Sequence, residues 1–151
     1  MKFLAIAAVL ACALLLKDDP AEAVKIVKAS EVQWTDAKGS APGVKTCLLH
    51  GDPTKGPYIA LSRFPAGTKV APHTHSADEV VSIVSGSFVI APGEKVDESK
   101  AKVLESGSYF TIKAGTPHWA MAKTETILVR YGNGPADIKY VNPADEPGKK
   151  K

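Results

Sequence analysis

The chain has 151 residues, enough for one ordinary domain and too few for two. Hydrophobic residues make up 44% and charged residues 23%, which excludes a disordered chain and a multi-span membrane protein. Much of the formal net charge of +3 lies in the terminal run Lys149, Lys150 and Lys151. No basic stripe with interleaved aromatic residues occurs elsewhere, so we expect no nucleic-acid partner.

The first 23 residues have the layout of a secretory signal peptide. A lysine is followed by an uncharged apolar run at residues 3–16, and Ala21-Glu22-Ala23 places small residues at the two recognition positions of a cleavage site. An uncleaved membrane anchor is one alternative, but a span needs about 20 apolar residues. A lipoprotein signal at Cys12 is the other, but the apolar run continues beyond that cysteine. We expect cleavage after Ala23, a periplasmic or secreted protein, and no membrane association after cleavage.

Short β-like segments separated by turn residues follow from residue 24 onward. We predict strands at residues 46–50, 58–64, 70–75, 79–84, 87–90, 103–105, 109–113, 119–121, 126–131 and 138–141. No stretch has the 3.6-residue periodicity of a long helix. Frequent Gly and Pro turns between so many strands predict an all-β sandwich or barrel. We assign it to a single domain at residues 24–143, followed by a polar basic tail at residues 144–151.

The clearest hairpin is expected around Ser85-Gly86. Residues 79–84 and 87–90, which flank this pair, are rich in β-branched and aromatic side chains. A two-residue turn containing Gly between two such runs is typical of a β-hairpin.

Three histidines and one glutamate form the pattern that carries chemistry. His73 and His75 are two residues apart in a strand-like segment, so their imidazoles point to the same side. Glu79 follows across a short turn, and His118, after a Gly-Pro turn, is the natural fourth member. Imidazole nitrogens and one carboxylate oxygen suit one divalent transition metal: Fe, Mn, Ni, Cu, Co or Zn. His50, which precedes a turn, is interpreted as structural.

The spacing of these residues resembles the two sequence motifs of the cupin superfamily. Gly67-(x)5-His73-x-His75-(x)3-Glu79-(x)6-Gly86 is similar to the first motif at every fixed position, and Gly107-(x)7-Gly115-(x)2-His118 is similar to the second. In the second motif, Lys113 replaces the usual proline and Ala122 the usual asparagine, at positions that do not bind metal. The resemblance implies a single-domain, jelly-roll-like β-barrel, also called a double-stranded β-helix. It also implies a metal inside the barrel, bound by His73, His75, Glu79 and His118.

Several flanking residues are assigned from their parity along the strands. A small apolar wall suited to an organic ligand is predicted from Ala71, Val81, Ile83 and Ala120. Arg63 and Arg130 lie in apolar strands, where either could bind a substrate carboxylate, but an outward arginine is the commoner case. Trp119 and Tyr109 are interpreted as core residues.

These patterns favour a small metalloenzyme of the cell envelope that acts on a small organic substrate. Iron or copper would support dioxygenase-type chemistry, which we favour, whereas Mn, Ni or Zn would support isomerase, lyase or hydrolase chemistry. Resemblance to quercetinase-like cupins implies that Glu79 detaches and acts as a base. The alternatives are a non-catalytic binding or sensing module, and a dimer in which metal serves stability alone. Residues 24–32 could pair with the sheet edge of a second copy and form a homodimer.

Overall fold

The computed structural model describes residues 24–149, which form an all-β protein. The predicted signal peptide lies outside the described residues. The strands are β1 (Thr35–Asp36), β2 (Lys45–Gly51), β3 (Pro57–Phe64), β4 (Lys69–Thr74), β5 (Glu79–Ser85), β6 (Ser87–Pro92), β7 (Lys102–Glu105), β8 (Tyr109–Ile112), β9 (His118–Ala122), β10 (Thr126–Asn133) and β11 (Lys139–Tyr140). Single 3-10 turns occur at Ala29–Glu31, Glu98–Lys100 and Pro143–Asp145. Among the residues described, no helix has the length and apolar character needed to cross a membrane.

The strands form two antiparallel sheets. The first sheet has the order β1-β2-β3-β10-β5-β8, and the second has the order β11-β4-β9-β6-β7. On β3 the side chains alternate between buried and half-buried along the strand, so one face of the first sheet is buried against the second sheet. The predicted all-β fold is therefore confirmed.

The strand registers place the inward side chains in layers. Gly132 on β10 lies opposite both Glu79 on β5 and Tyr58 on β3, and the next layer pairs Arg130 with Val81. Further along, the inward residues are apolar, and the core is formed by Ala41, Val44, Phe64, Val70, Val81, Ile83, Phe88, Ala120, Ala122 and Leu128. The space between the sheets thus has a polar end and an apolar end.

The predicted hairpin around Ser85-Gly86 is wrong. β5 pairs with β10 and β8 in the first sheet, whereas β6 pairs with β9 and β7 in the second. Gly86, with a φ of +88°, carries the chain from one sheet to the other, and a Cβ there would lie 2.2 Å from the carbonyl oxygen of Glu125. The local sequence signals a change of direction, but it does not say which strands the two arms will join.

A β-bulge in β4 overturns the assignment of Ala71 to the inner wall. Val70 pairs with Ala120, and His73 pairs with His118. Two residues lie between Val70 and His73, but only one lies between Ala120 and His118. The bulge accommodates the extra residue in β4, so Val70 and His73 both face inward. Ala71 instead lines a groove on the outside of the barrel. The other three predicted wall residues are buried in the core.

The two aromatic residues predicted as core differ in their burial. Trp119 is buried, but it packs with Val89 and Ala91 in a second apolar cluster, separate from the main core. Tyr109 is 71% exposed, so its assignment to the core is wrong. The segment at residues 24–32 contains no strand, and the homodimer stays a prediction.

Candidate metal centre

Three imidazoles meet at the polar end of the barrel. His73 on β4 lies opposite His118, the first residue of β9, and His75 follows directly after β4. The ring centroids are 4.1 Å apart for His73 and His118, 5.0 Å for His73 and His75, and 5.1 Å for His75 and His118. One ring nitrogen of each histidine lies within 4.8 Å of a ring nitrogen of the others. His50 is exposed on β2 and does not belong to this group.

Backbone carbonyls orient all three rings in the same way. The Nδ1 atoms bond to the carbonyl oxygens of Ala71 (2.7 Å, from His73), Asp137 (2.6 Å, from His75) and Thr116 (3.0 Å, from His118). Because a carbonyl only accepts hydrogen bonds, each Nδ1 carries the proton and donates it. In the neutral ring each Nε2 then keeps its lone pair, the arrangement found in metal-binding histidines.

Burial keeps the imidazoles in the form that binds metal. Burial, together with the neighbouring His118, lowers the pKa of His73 to about 3. Burial also lowers the pKa of His118, an effect only partly offset by the hydrogen bond to Thr116. Both rings are neutral at neutral pH, and a neutral imidazole is a metal ligand while an imidazolium is not. This donor set fits a divalent transition metal.

Glu79 lies beside the imidazoles and is held from its other side by an arginine. Its Oε2 is 3.6 Å from Nε2 of His75, and its Oε1 accepts a hydrogen bond of 3.3 Å from Nη1 of Arg130. The carboxylate is buried. Among the described residues, however, the ligand atoms that all lie within 4.8 Å of one another belong to the three histidines and do not include an oxygen of Glu79. The structure thus brings all four predicted residues together. The assignment of Glu79 as a metal ligand stays a prediction.

The inward position of Arg130 corrects the expectation that it faces outward. Residues 126–131 are apolar on both faces, so the sequence shows no parity by which to orient the arginine. Arg63 does face outward, where its Nη2 donates to Glu125 at 2.7 Å.

Tyr58 is a site residue that the sequence analysis missed. A Cβ on Gly132 would lie 2.7 to 2.8 Å from atoms of the Tyr58 ring, so the glycine provides the space that the phenol occupies. Burial raises the pKa of Tyr58, and the nearby charge of Glu79 raises it further. A neutral phenol therefore stands next to the carboxylate. Two sequence signals could have indicated this residue: the alternation along residues 58–64, which places Tyr58 on the inward face, and Gly132, a glycine within a strand.

Asp137, also missed, connects the loop after β10 to His75. Its carbonyl oxygen accepts from Nδ1 of His75, while its carboxylate accepts from the backbone nitrogen (2.8 Å) and hydroxyl (2.6 Å) of Ser76. Lys139 pairs with the same carboxylate at 3.4 Å. Burial raises the pKa of Asp137, but the bonds from Ser76 and Lys139 outweigh it and leave the pKa below its usual value. No sequence pattern marks this loop residue.

A cavity of about 490 Å³ extends from these residues into the barrel. Its polar end contains the imidazoles, Glu79, Arg130 and Tyr58, and its apolar lining includes Val44, Phe64, Val70, Phe88, Ile90, Phe110, Ile112 and Leu128. A cavity of this size and character suits a small organic molecule.

Comparison with known proteins supports this picture of the fold. The model of the family described as "Domain of unknown function (DUF4437)" matches residues 17–135. None of the curated proteins matches the chain.

Three solved structures illustrate the structural likeness. An RmlC-like cupin from Shewanella frigidimarina NCIMB 400 has 24% identity and a TM-score of 0.58, covering 73% of this chain and 89% of that chain. The polyketide cyclase RemF from Streptomyces resistomycificus has 15% identity and a TM-score of 0.65, covering 82% and 89%. A variant of salicylate 1,2-dioxygenase from Pseudoaminobacter salicylatoxidans has 21% identity and a TM-score of 0.53, covering 66% of this chain and 28% of that chain. At these identities the likeness establishes the fold, and the predicted cupin barrel is confirmed.

Proposed function

Because this chain belongs to the DUF4437 family and its cupin barrel holds three converging imidazoles, we propose that it is a metal-dependent enzyme acting on a small organic substrate. The observation that carries the proposal is the common orientation of His73, His75 and His118. Each ring donates Nδ1–H to a backbone carbonyl and leaves Nε2 free beside a cavity of about 490 Å³. A site that served only to close the fold would not need a cavity of that size next to it.

We assign one divalent transition metal to these three imidazoles, with Glu79 as a fourth ligand. Iron or copper bound there would supply the redox chemistry by which dioxygen reacts with an organic substrate, and we favour this dioxygenase-type reaction. The occurrence of salicylate 1,2-dioxygenase among the proteins of like fold supports this choice.

The protein's own residues supply the acid–base chemistry. Glu79 can accept a proton from the substrate at Oε2, while Arg130 holds Oε1 and keeps the carboxylate oriented. Tyr58 stays protonated beside this carboxylate and can donate its hydroxyl hydrogen to an oxygen of the substrate. The apolar lining excludes water from the rest of the cavity.

Export to the cell envelope is the second part of the proposal. It rests on the apolar run at residues 3–16 and the small residues before position 24. Cell fractionation with N-terminal sequencing tests it: the mature protein should begin at Val24 and be found in the periplasm or the medium. A protein that keeps residues 1–23 in the cell interior would contradict export.

Metal analysis tests the proposed enzyme directly. Protein purified without chelators is expected to contain one equivalent of metal by plasma mass spectrometry, and His75→Ala should lose it. His50→Ala is the matched control, since His50 is exposed on β2 and apart from the site. One equivalent of Fe or Cu leads to oxygen-consumption screens with diketones, catechols and flavonoids.

Other outcomes redirect or remove the proposal. One equivalent of Mn, Ni or Zn would move the reaction to isomerase, lyase or hydrolase chemistry. If metal binds and stabilises the protein but no substrate is turned over, the protein would be a non-catalytic ligand-binding or sensing module. Absence of metal even after reconstitution with divalent ions would remove the metalloenzyme altogether.

A further inference from the structure

Arg130 has more hydrogen-bonding capacity than its protein partner uses. Its Nη1 donates to Glu79 at 3.3 Å, which is a single long contact rather than the paired short bonds of a saturated arginine–carboxylate pair. Its Nε is buried and has no hydrogen-bond partner among the described residues. The side chain is 26% exposed and lines the cavity. A guanidinium with five N–H groups in this position has donors left for a ligand oxygen.

The charges around the cavity favour an anion at its polar end. Glu79 is balanced by Arg130, and the other lining acids have their own partners: Asp36 pairs with Lys45 at 2.6 Å and Asp137 with Lys139 at 3.4 Å. A divalent ion bound to the imidazoles would therefore leave this end with a net positive charge. Lys38 also lines the cavity. An anion is attracted to such a site, and an uncharged molecule gains nothing from it.

The opposite end of the cavity is built for an apolar body. Phe64 and Phe88 meet edge to face with centroids 5.4 Å apart, and Phe110 stacks with Phe88 at 6.3 Å. Leu128, two positions before Arg130 on β10, continues the same inward face. A ligand that spans the cavity therefore meets cationic groups at one end and aromatic rings at the other.

We propose that the substrate is an amphipathic organic anion whose carboxylate binds Arg130 and whose apolar body lies against Phe64, Phe88 and Phe110. This inference rests on the proposed function, because it names the substrate class of the same cavity. Glu79 takes a single long contact from Nη1, and the partly exposed guanidinium lines the cavity. A carboxylate in the cavity can therefore bind the N–H groups that Glu79 leaves free.

Isothermal titration calorimetry with two matched probes tests the inference. 3-Phenylpropionate and its uncharged amide, 3-phenylpropionamide, have the same apolar body and differ in charge. Both are titrated into the full purified protein, once loaded with metal and once after chelator treatment. We expect the carboxylate to bind at least about 10-fold more tightly than the amide in both states, since a charged hydrogen bond contributes about 1.5–3 kcal/mol.

Two arginine variants separate the cavity site from general charge effects. Arg130→Met should weaken carboxylate binding by about 10- to 100-fold and leave amide binding unchanged. Arg63→Met is the matched control, because Arg63 lies on the neighbouring strand β3 but pairs with Glu125 outside the cavity. The double variant Arg130→Met/Glu79→Gln removes both charges, so the site is still measurable if Arg130→Met alone is unstable.

The outcomes distinguish the inference from the proposed function. Equal affinity for carboxylate and amide, or a carboxylate preference that survives in both Arg130 variants, overturns the inference while a metal-loaded enzyme stands. If the protein prefers the carboxylate over the amide, loses this preference in the Arg130 variants, and cannot bind metal, the inference is supported and the proposal of a metalloenzyme is overturned.

Discussion

Arg63 and Arg130 lie on adjacent strands of one sheet but point to opposite faces of it. The face to which an arginine points decides how much its ion pair contributes to stability. Arg63 forms an exposed ion pair with Glu125, of a kind that contributes about 0–1 kcal/mol to stability. Arg130 forms a largely buried pair with Glu79, where loss of one partner leaves a charge unpaired and costs about 3–5 kcal/mol. The inner pair is therefore the one that couples the site to the stability of the barrel.

Replacement of Glu79 separates the role of base from that of metal ligand. In Glu79→Gln we expect turnover of any substrate found by the oxygen screen to fall at least about 100-fold, because the proton acceptor is lost. Metal content should stay above half of the wild-type value, because the three imidazoles are unchanged. Plasma mass spectrometry and steady-state kinetics on the same preparation measure both quantities. Loss of metal as complete as in His75→Ala would instead make Glu79 primarily a ligand.

Asp137 is expected to act on the metal through His75. In Asp137→Ala the carboxylate that holds Ser76 and Lys139 is removed, so the loop carbonyl bonded to Nδ1 of His75 becomes less well placed. Metal affinity should fall about 10-fold or more, as for other outer partners of metal ligands. Competition with a chromophoric chelator measures the affinity.

The chain contains a closely matched control for this variant. Asp97 accepts from the backbone and hydroxyl of Ser99 and pairs with Lys100, the same set of contacts in a turn that does not line the cavity. Asp97→Ala should leave metal affinity unchanged. An equal loss in both variants would mean that the effect comes from general loosening and not from the orientation of His75.

At the scale of the strands, most elements follow from alternation and turn residues, but their pairing does not. The strand at residues 58–64 alternates cleanly and was predicted, and the turn at Gly86 was also recognised. That turn joins two sheets and does not join two arms of a hairpin. The reason is that β5 pairs with β10 and β6 pairs with β9, and both partner strands come from much later in the chain. The sequence brings His73, His75, Glu79 and His118 together because their spacing follows strand geometry, and their role as ligands stays a prediction. Asp137 reaches the site from a loop with no such pattern.

A side chain at Gly86 should be tolerated much less well than one at Gly107. Gly86 and Gly107 share a φ of +88°, but a Cβ on Gly86 would lie 2.2 Å from the carbonyl oxygen of Glu125, while one on Gly107 would meet nothing within 4 Å. Gly107→Ala should cost about 1–2 kcal/mol for the backbone conformation alone. Gly86→Ala should cost at least about 2 kcal/mol more, because the corner between the sheets must open. Urea denaturation of both variants measures the difference, and equal losses would contradict a tight corner.

At the scale of the whole molecule, the imidazoles make the stability of the metal-free protein depend on pH. His73 titrates near 6.5 when unfolded and at about 3 when folded, so between these values the unfolded state binds more protons. The free energy of unfolding should therefore fall as the pH is lowered, by about 2 kcal/mol from this residue between pH 7 and pH 5. His118 shifts in the same direction. Urea denaturation of chelator-treated protein at pH 7 and pH 5 measures the change.

A histidine variant provides the control for this pH dependence. His73→Asn should reduce the loss of stability between pH 7 and pH 5, even if the variant is less stable at both. The aspartates with lowered pKa, such as Asp78 and Asp97, contribute only at more acidic pH. A wild-type stability that is the same at pH 7 and pH 5 would show that His73 and His118 titrate as freely in the barrel as in the unfolded chain.

The β-bulge in β4 decides to which side of the barrel wall His73 and His75 point. Val70 and His73 face the same way because β4 bulges between them; in a regular strand, the two residues that lie between them would place them on opposite faces. A regular strand over the same residues, without the bulge, would turn both His73 and His75 to the outside of the barrel. A protein of this fold can therefore lose its metal centre through a change in the path of one strand, with every proposed ligand still present in its sequence.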